Sequence, residues 1–363
     1  MTNANPTPLT VAAVQDFLRV QSTRIAVDPM TNSVFALAQS LFQDVEAGKA
    51  SVADLAKFAG DLHLTLIEER AGRFREQHYD AAPKAGWSLV RAALDALACK
   101  GFDAFRTGIE QNTGGIVFTA HPTFALSRAL RQAFTAHVTR PNKSSRATLL
   151  KHIREDGRPW NKSINLVGEH DEVQDALLNA AGAQQAYAAL VLDVARKAFP
   201  DDWRGLRPYL PTLASWVGYD LDGRTDIHWS QSLTFRLREK AAQLGRYADR
   251  LETMSGASKV AVLARLTVRL RAAAGDAEAD AARFAENLTD PEKLVQAANA
   301  LTSHSKRMIL DATEITTVLD DAIPIVDDSL AAALIAFRAE VESLQLGTAR
   351  IHLRVNAAQV RTV

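Results

Sequence analysis

A histidine ends the apolar run of GGIVFTAHPT (114–123), where Pro122 pins His121 from behind and the helix-forming stretch FALSRALRQAF starts at once. Histidine gains and loses a proton near neutral pH, so His121 is a candidate acid–base group. A histidine followed by proline at a strand end is also a common structural residue. Two other short segments end on polar side chains: PTLASWVGYDLDG delivers Asp220 and Asp222, then Arg224, and LGTARIHLRVNA carries His352, Arg354 and Asn356. In parallel α/β architectures active sites form where loops converge at the carboxyl ends of strands, so three polar strand ends form a site pattern. Each residue keeps a plainer reading. Asp and Gly dominate turns, so Asp220 and Asp222 are equally turn formers. Arg354 reads equally as a solvated strand arginine, and Arg128 and Arg131 line either an anionic site or a solvent face.

The elements that would position these residues are mostly helices. TNSVFALAQSLFQDVEAG sets Val34, Leu37, Ala38 and Leu41 on one stripe, and the next helix opens with Ser51 and Asp54 in a capping-box arrangement. AAPKAGWSLVRAALDALACKGFDAFRTGIEQN reads as one helix, and DEVQDALLNAAGAQQAYAALVLDVARKAF as a long one ending before Pro200. Helices are also predicted over 230–253, 257–287, 291–302, 305–322 and 327–345, with Pro291 following Asp290 as a capped start. Three segments break the pattern, near 115–120, 212–218 and 348–356; they are short, β-branched or aromatic, and bounded by Gly, Pro or Asn. Helical stretches separate them, which predicts a parallel sheet. A filled barrel needs about eight strands. The fold class expected is mostly α, a large helical body with the first parallel strands of an incomplete (β/α) barrel, in a single unit over 1–363.

Composition narrows the class. Lysine and arginine total 42, as do aspartate and glutamate, so nothing points to nucleic acid or an anionic membrane. No apolar run approaches the roughly 18 residues that span a bilayer, and the first residues lack a secretory pattern. Cys99 is the single cysteine, placed in an apolar helical context that predicts a buried structural thiol. These features predict a cytoplasmic protein. The remaining histidines show no paired zinc spacing, and no Gly-x-x-x-x-Gly-Lys run or Gly-x-Ser-x-Gly elbow occurs. The most basic stretch, RPNKSSRATLLKHIREDGRPWNKS, reads first as a solvated loop and helix and second as a segment that faces an anionic substrate.

VFTAHPTFALSRALRQ resembles the first signature of the phosphoenolpyruvate carboxylases, an apolar strand, Thr-Ala-His-Pro-Thr and an arginine-bearing helix. LASWVGYDLDGRTDI resembles that family's Ser-Trp-Met-Gly-Gly-Asp-Arg-Asp-Gly-Asn-Pro block, and RIHLRVNAAQV more weakly resembles its later Asp-Ile-Arg-Gln strand. The three occur in the family's order. Departures are Phe124 in place of a polar residue, Ser127 in place of the first of two arginines, Tyr219 for a glycine, Leu221 for an arginine, and Arg224-Thr225 for Asn-Pro.

The resemblance implies carboxylation of phosphoenolpyruvate by bicarbonate to oxaloacetate and phosphate, through carboxyphosphate and the enolate of pyruvate. It implies His121 as the base that takes the proton from carboxyphosphate, and Arg354 as the holder of phosphate or carboxylate. Arg128, Asp220, Asp222 and Arg224 would be substrate-side residues, the aspartates orienting loops and arginines. Family members are more than twice this length. Their glycine- and arginine-rich loop, catalytic lysine and the carboxylates for Mg2+ or Mn2+ fall outside the matching part. The chain alone is therefore expected to lack carboxylase activity, and an intact protein to be a homotetramer. The alternative is a non-catalytic helical paralogue that binds a protein partner or a phosphorylated metabolite.

Overall fold

The computed structural model describes residues 9–77, 86–119, 126–156, 165–222, 224, 226–303, 308–355 and 361. Contacts divide the chain into two compact units, 1–84 with 125–162 and 85–124 with 163–363. The first is helical: α1 (Val11–Thr23), α2 (Ser33–Glu46), α3 (Val52–Arg75), α6 (Arg128–Thr139) and α7 (Lys143–Asp156). Its core gathers Ile67 of α3, Leu130 and Ala133 of α6, and Leu149 and Ile153 of α7. The capping box forms as the sequence predicts, Ser51 Oγ accepting from Asp54 N–H at 3.1 Å while Asp54 accepts from Ser51 N–H at 2.9 Å.

The second unit contains α4 (Gly86–Ala98), α5 (Phe102–Glu110), β1 (Gly115–Phe118), α8 (Leu166–Ala198), β2 (Thr212–Ser215), α9 (Trp229–Thr253), α10 (Ala261–Phe284), α11 (Pro291–Thr302), α12 (Thr313–Ala322), α13 (Asp328–Leu344) and β3 (Arg350–Ile351). The stretch predicted as one helix over 81–112 contains two among its described residues, because Gly101 at φ +95° takes a backbone turn that other residues rarely adopt. Cys99, expected buried, is exposed at that break. The stripe that faces the core is Val90, Leu94 and Leu97, and the thiol lies past its end. The predicted start at Asp290-Pro291 is present, Asp290 Oδ1 accepting from Glu292 N–H at 3.0 Å. Among the described residues no helix is long and apolar enough to cross a membrane.

The strands form one parallel sheet in the order β1-β2-β3, shorter than predicted. Gly115 pairs with Thr212 and Phe118 with Ser215 on one side of β2, and Ser215 pairs with Ile351 on the other. Leu213, Val217 and Ala349 pack with Val173, Leu177 and Ala181 of α8 and Leu344 of α13, so these helices cover β2, while Ile116 and Val117 of β1 stay exposed.

Twelve of the 17 residues of α13 are buried, among them Phe337, Val341 and two charged residues. A helix enclosed on nearly all sides must bring partners for its polar groups. Glu340, with no exposed surface, accepts from Gln185 Nε2 at 3.2 Å and Arg246 Nη2 at 3.3 Å and pairs with Arg250. Arg338 donates to Asp320 and, at 2.6 Å, to the Leu206 carbonyl. Removing one partner of such a buried network strands the others, at a cost of about 3–5 kcal/mol. Glu340→Ala is expected to lose that much stability, read as a fall in the urea midpoint at unchanged slope.

Candidate functional site

The carboxyl ends of β2 and β3 meet. Ser215 O accepts from His352 N–H at 3.0 Å, Tyr219 O from Arg354 N–H at 3.1 Å, and Arg354 O from Leu221 N–H at 2.8 Å. This ladder, with the parallel bridge Asp220–Arg354, continues the β2–β3 pairing beyond the strands proper. It brings two residues 134 apart in sequence within reach, and Arg354 Nη1 donates to Asp220 Oδ2 at 3.1 Å. The guanidinium also lies 5.4 Å from the ring centre of Trp216, over its face. Arg354 is 54% exposed, and among the described residues its one side-chain hydrogen bond goes to Asp220. Asp220 Oδ1 is buried with no hydrogen-bond partner. A half-free guanidinium fork beside a partly buried carboxylate can accept an anion on its remaining N–H groups.

The turn after β2 is locked from below. Gly218 sits at φ +90° against Phe235 of α9, so that a Cβ there would come 2.7 Å from the ring. Its carbonyl accepts from Ser232 Oγ at 2.7 Å. Tyr219 turns inward and donates to Glu239 Oε1 at 2.8 Å. Burial and the neighbouring Glu239 push the Tyr219 hydroxyl well above its ordinary pKa, so it stays protonated and donates. His170 Nε2 lies 2.9 Å from the same Glu239 oxygen, and the imidazole stacks on Phe235 with 4.1 Å between ring centres.

The remaining predicted residues fare differently. Arg224 does not join Arg354: it grips Asp226 through two hydrogen bonds of 2.8 and 2.6 Å and pairs with Glu169 at the start of α8. The Asp226 and Glu169 hydrogen bonds outweigh burial and raise the Arg224 pKa further above its ordinary value, so its charge is committed to the loop. Asp222 is exposed at the turn. Arg128 begins α6 in the other unit, exposed, behind the capping residue Ser127, whose Oγ accepts from Leu130 N–H at 3.2 Å. His121 lies outside the described residues, as do Gly223, Thr225 and Asn356. Among the described residues no group of three or more His, Cys, Asp or Glu side chains is arranged to hold a metal ion. The residues that sequence reasoning missed are His170, Ser232, Phe235 and Glu239. They sit inside regular helical sequence, and only their packing under the turn distinguishes them.

No protein-family model matches the chain, and no curated protein matches it.

Two outcomes follow from this geometry. Gly218→Ala combines an unfavourable φ with a ring collision and is expected to cost about 1–3 kcal/mol. In a Phe235→Leu background the ring part disappears, so a double-mutant cycle in urea should show a smaller cost there than in the wild type. The Arg224 hydrogen bonds hold the Asp226 carboxyl below its ordinary pKa, so their stabilisation is present above the unfolded carboxyl value of about 3.9 and lost as pH falls through the lower folded value. Asp226→Asn should therefore melt below the wild type at neutral pH and level with it near pH 2, by a small margin because Asp226 is 54% exposed.

Proposed function

We propose that the chain carries part of a phosphoenolpyruvate carboxylase-like site, in which Arg354 binds the phosphate or carboxylate of phosphoenolpyruvate. One observation carries this reading: β2–β3 pairing joins the second and third sequence blocks of the resemblance through the Asp220–Arg354 pair, at the carboxyl ends of a parallel sheet. In the same sheet β1 ends at Phe118, three residues before His121. His121 would take the proton that carboxyphosphate loses as it breaks into carbon dioxide and phosphate, and the pyruvate enolate would then capture the carbon dioxide. The barrel itself, of which β1 to β3 would be the first strands, belongs to the same proposal.

The described residues do not supply the carboxylate set that Mg2+ or Mn2+ would need, and the proposal is confined to what this chain's own side chains do. Asp220 holds Arg354 by one nitrogen and leaves the others to the ligand. Trp216 keeps the guanidinium plane from swinging away. Charge-assisted hydrogen bonds of this kind are worth about 1.5–3 kcal/mol, or about tenfold to a hundredfold in affinity.

Calorimetric titration of the 363-residue chain with phosphoenolpyruvate tests the reading. Arg354→Gln is expected to weaken binding about tenfold or more, and Arg354→Lys to recover only part of it because a single ammonium cannot fork. A wild-type chain that does not bind, or a glutamine variant that binds equally well, sinks the assignment.

A further inference from the structure

We propose that Glu239 is the positioning residue of this site: it sets the placement of Asp220 against Arg354 without touching either. The inference rests on the reading of Arg354 as the anion holder, and its own evidence is separate. Glu239 is 5% exposed, and its two oxygens accept from two different groups, Tyr219 past the end of β2 and Arg236 of the same helix. Oε1 receives the Tyr219 hydroxyl at 2.8 Å, and Tyr219 is the residue directly before Asp220. Oε2 receives Arg236 Nη1 at 3.1 Å, and that same nitrogen reaches the Ala349 carbonyl at 3.4 Å, directly before β3. His170 of α8 closes the group on Oε1 at 2.9 Å, with Gln174 Nε2 donating at 3.4 Å. One carboxyl group thus ties the exit of β2 to the entry of β3.

The Asp220–Arg354 pair does not do this work for itself. Its single hydrogen bond is 3.1 Å, Arg354 is half exposed, and Asp220 Oδ1 has no partner. A partly exposed pair held by one hydrogen bond contributes little to holding two chain segments. The segments meet because Tyr219 O receives Arg354 N–H and Arg354 O receives Leu221 N–H, and Tyr219 is anchored at its other end by Glu239. A glutamine at position 239 has only one acceptor oxygen. If its amide nitrogen faces Arg236, donor meets donor; if it faces Tyr219 and His170, both must turn from donor to acceptor, and in either case the carboxylate charge they share is lost.

Two measurements on the full 363-residue chain test this. The first is hydrogen exchange at the Leu221 and Arg354 amides; the second is calorimetric affinity for phosphoenolpyruvate. Glu239→Gln is expected to melt cooperatively, to lose at least tenfold protection at both amides with α10 unchanged, and to bind phosphoenolpyruvate at least fivefold more weakly. Tyr219→Phe, which cuts only the link to β2, should give a smaller loss of protection, at least threefold, and covers the case in which Glu239→Gln does not fold. Arg271→Gln, in the exposed pairs with Asp249 and Glu252, is expected to leave both readouts as in the wild type. Unchanged exchange at both amides in the folded variant overturns the proposal whether or not any ligand binds. Faster exchange with unaltered ligand affinity also overturns it, because Glu239 would then be structural only. Faster exchange in a protein whose wild type binds no phosphoenolpyruvate supports the positioning of the pair and removes the anion-site reading beneath it.

Discussion

Burying a carboxyl group obliges the surrounding chain to bring donors to it, and at Glu239 that obligation organises the whole polar end of the sheet. Tyr219, His170, Gln174 and Arg236 arrive from the turn after β2, from α8 and from α9 itself. Each is held there by something further. His170 lies flat on Phe235, Phe235 fills the space a side chain at position 218 would need, and Ser232 hydrogen-bonds the Gly218 carbonyl. The residues that could meet a ligand, the half-exposed Arg354 and the partly buried Asp220, stand on top of this arrangement and contribute little to it.

The same logic recurs deeper in the unit. α13 is enclosed on nearly every side, yet carries Arg338 and Glu340 in its buried face. Glu340 is matched by Gln185 of α8 and by Arg246 and Arg250 of α9, so one carboxyl group fastens three helices. Arg338 takes the Leu206 carbonyl and Asp320, linking the segment ahead of β2 and α12 to the same helix. The apolar part of α13 then continues to Leu344, which packs under the sheet with Val173, Leu177 and Leu213. Apolar burial supplies the bulk of the attraction, while these directional pairs select which helix faces meet.

Much of this was legible where the signal is local. A capping box needs only Ser51 and Asp54, a proline-led helix start only Asp290 and Pro291, and a short buried strand only its own run of apolar residues between breakers. The misreadings were also local in origin. Apolar periodicity runs through Lys100-Gly101 without interruption, so the break between α4 and α5 shows only in the backbone at Gly101. Cys99 was assigned by the company it keeps, whereas its exposure depends on where α4 stops relative to the core. Arg224 stood beside the candidate aspartates in sequence, and its charge is spent on Glu169 and Asp226 instead.

By itself the sequence determined that the body is helical, that three short segments are strands of parallel type, and that polar side chains gather at their ends. Those are properties of periodicity, turn chemistry and residue order, each readable within a window of about ten to twenty residues. Only the tertiary structure decided that Asp220 meets Arg354 across 134 positions while Arg224 turns away, and that Glu239 with His170 lies beneath them. Partners of that kind are chosen by the pairing of β2 with β3 and by which faces of α8 and α9 are buried, and side chains so far apart in the chain carry no local mark of it.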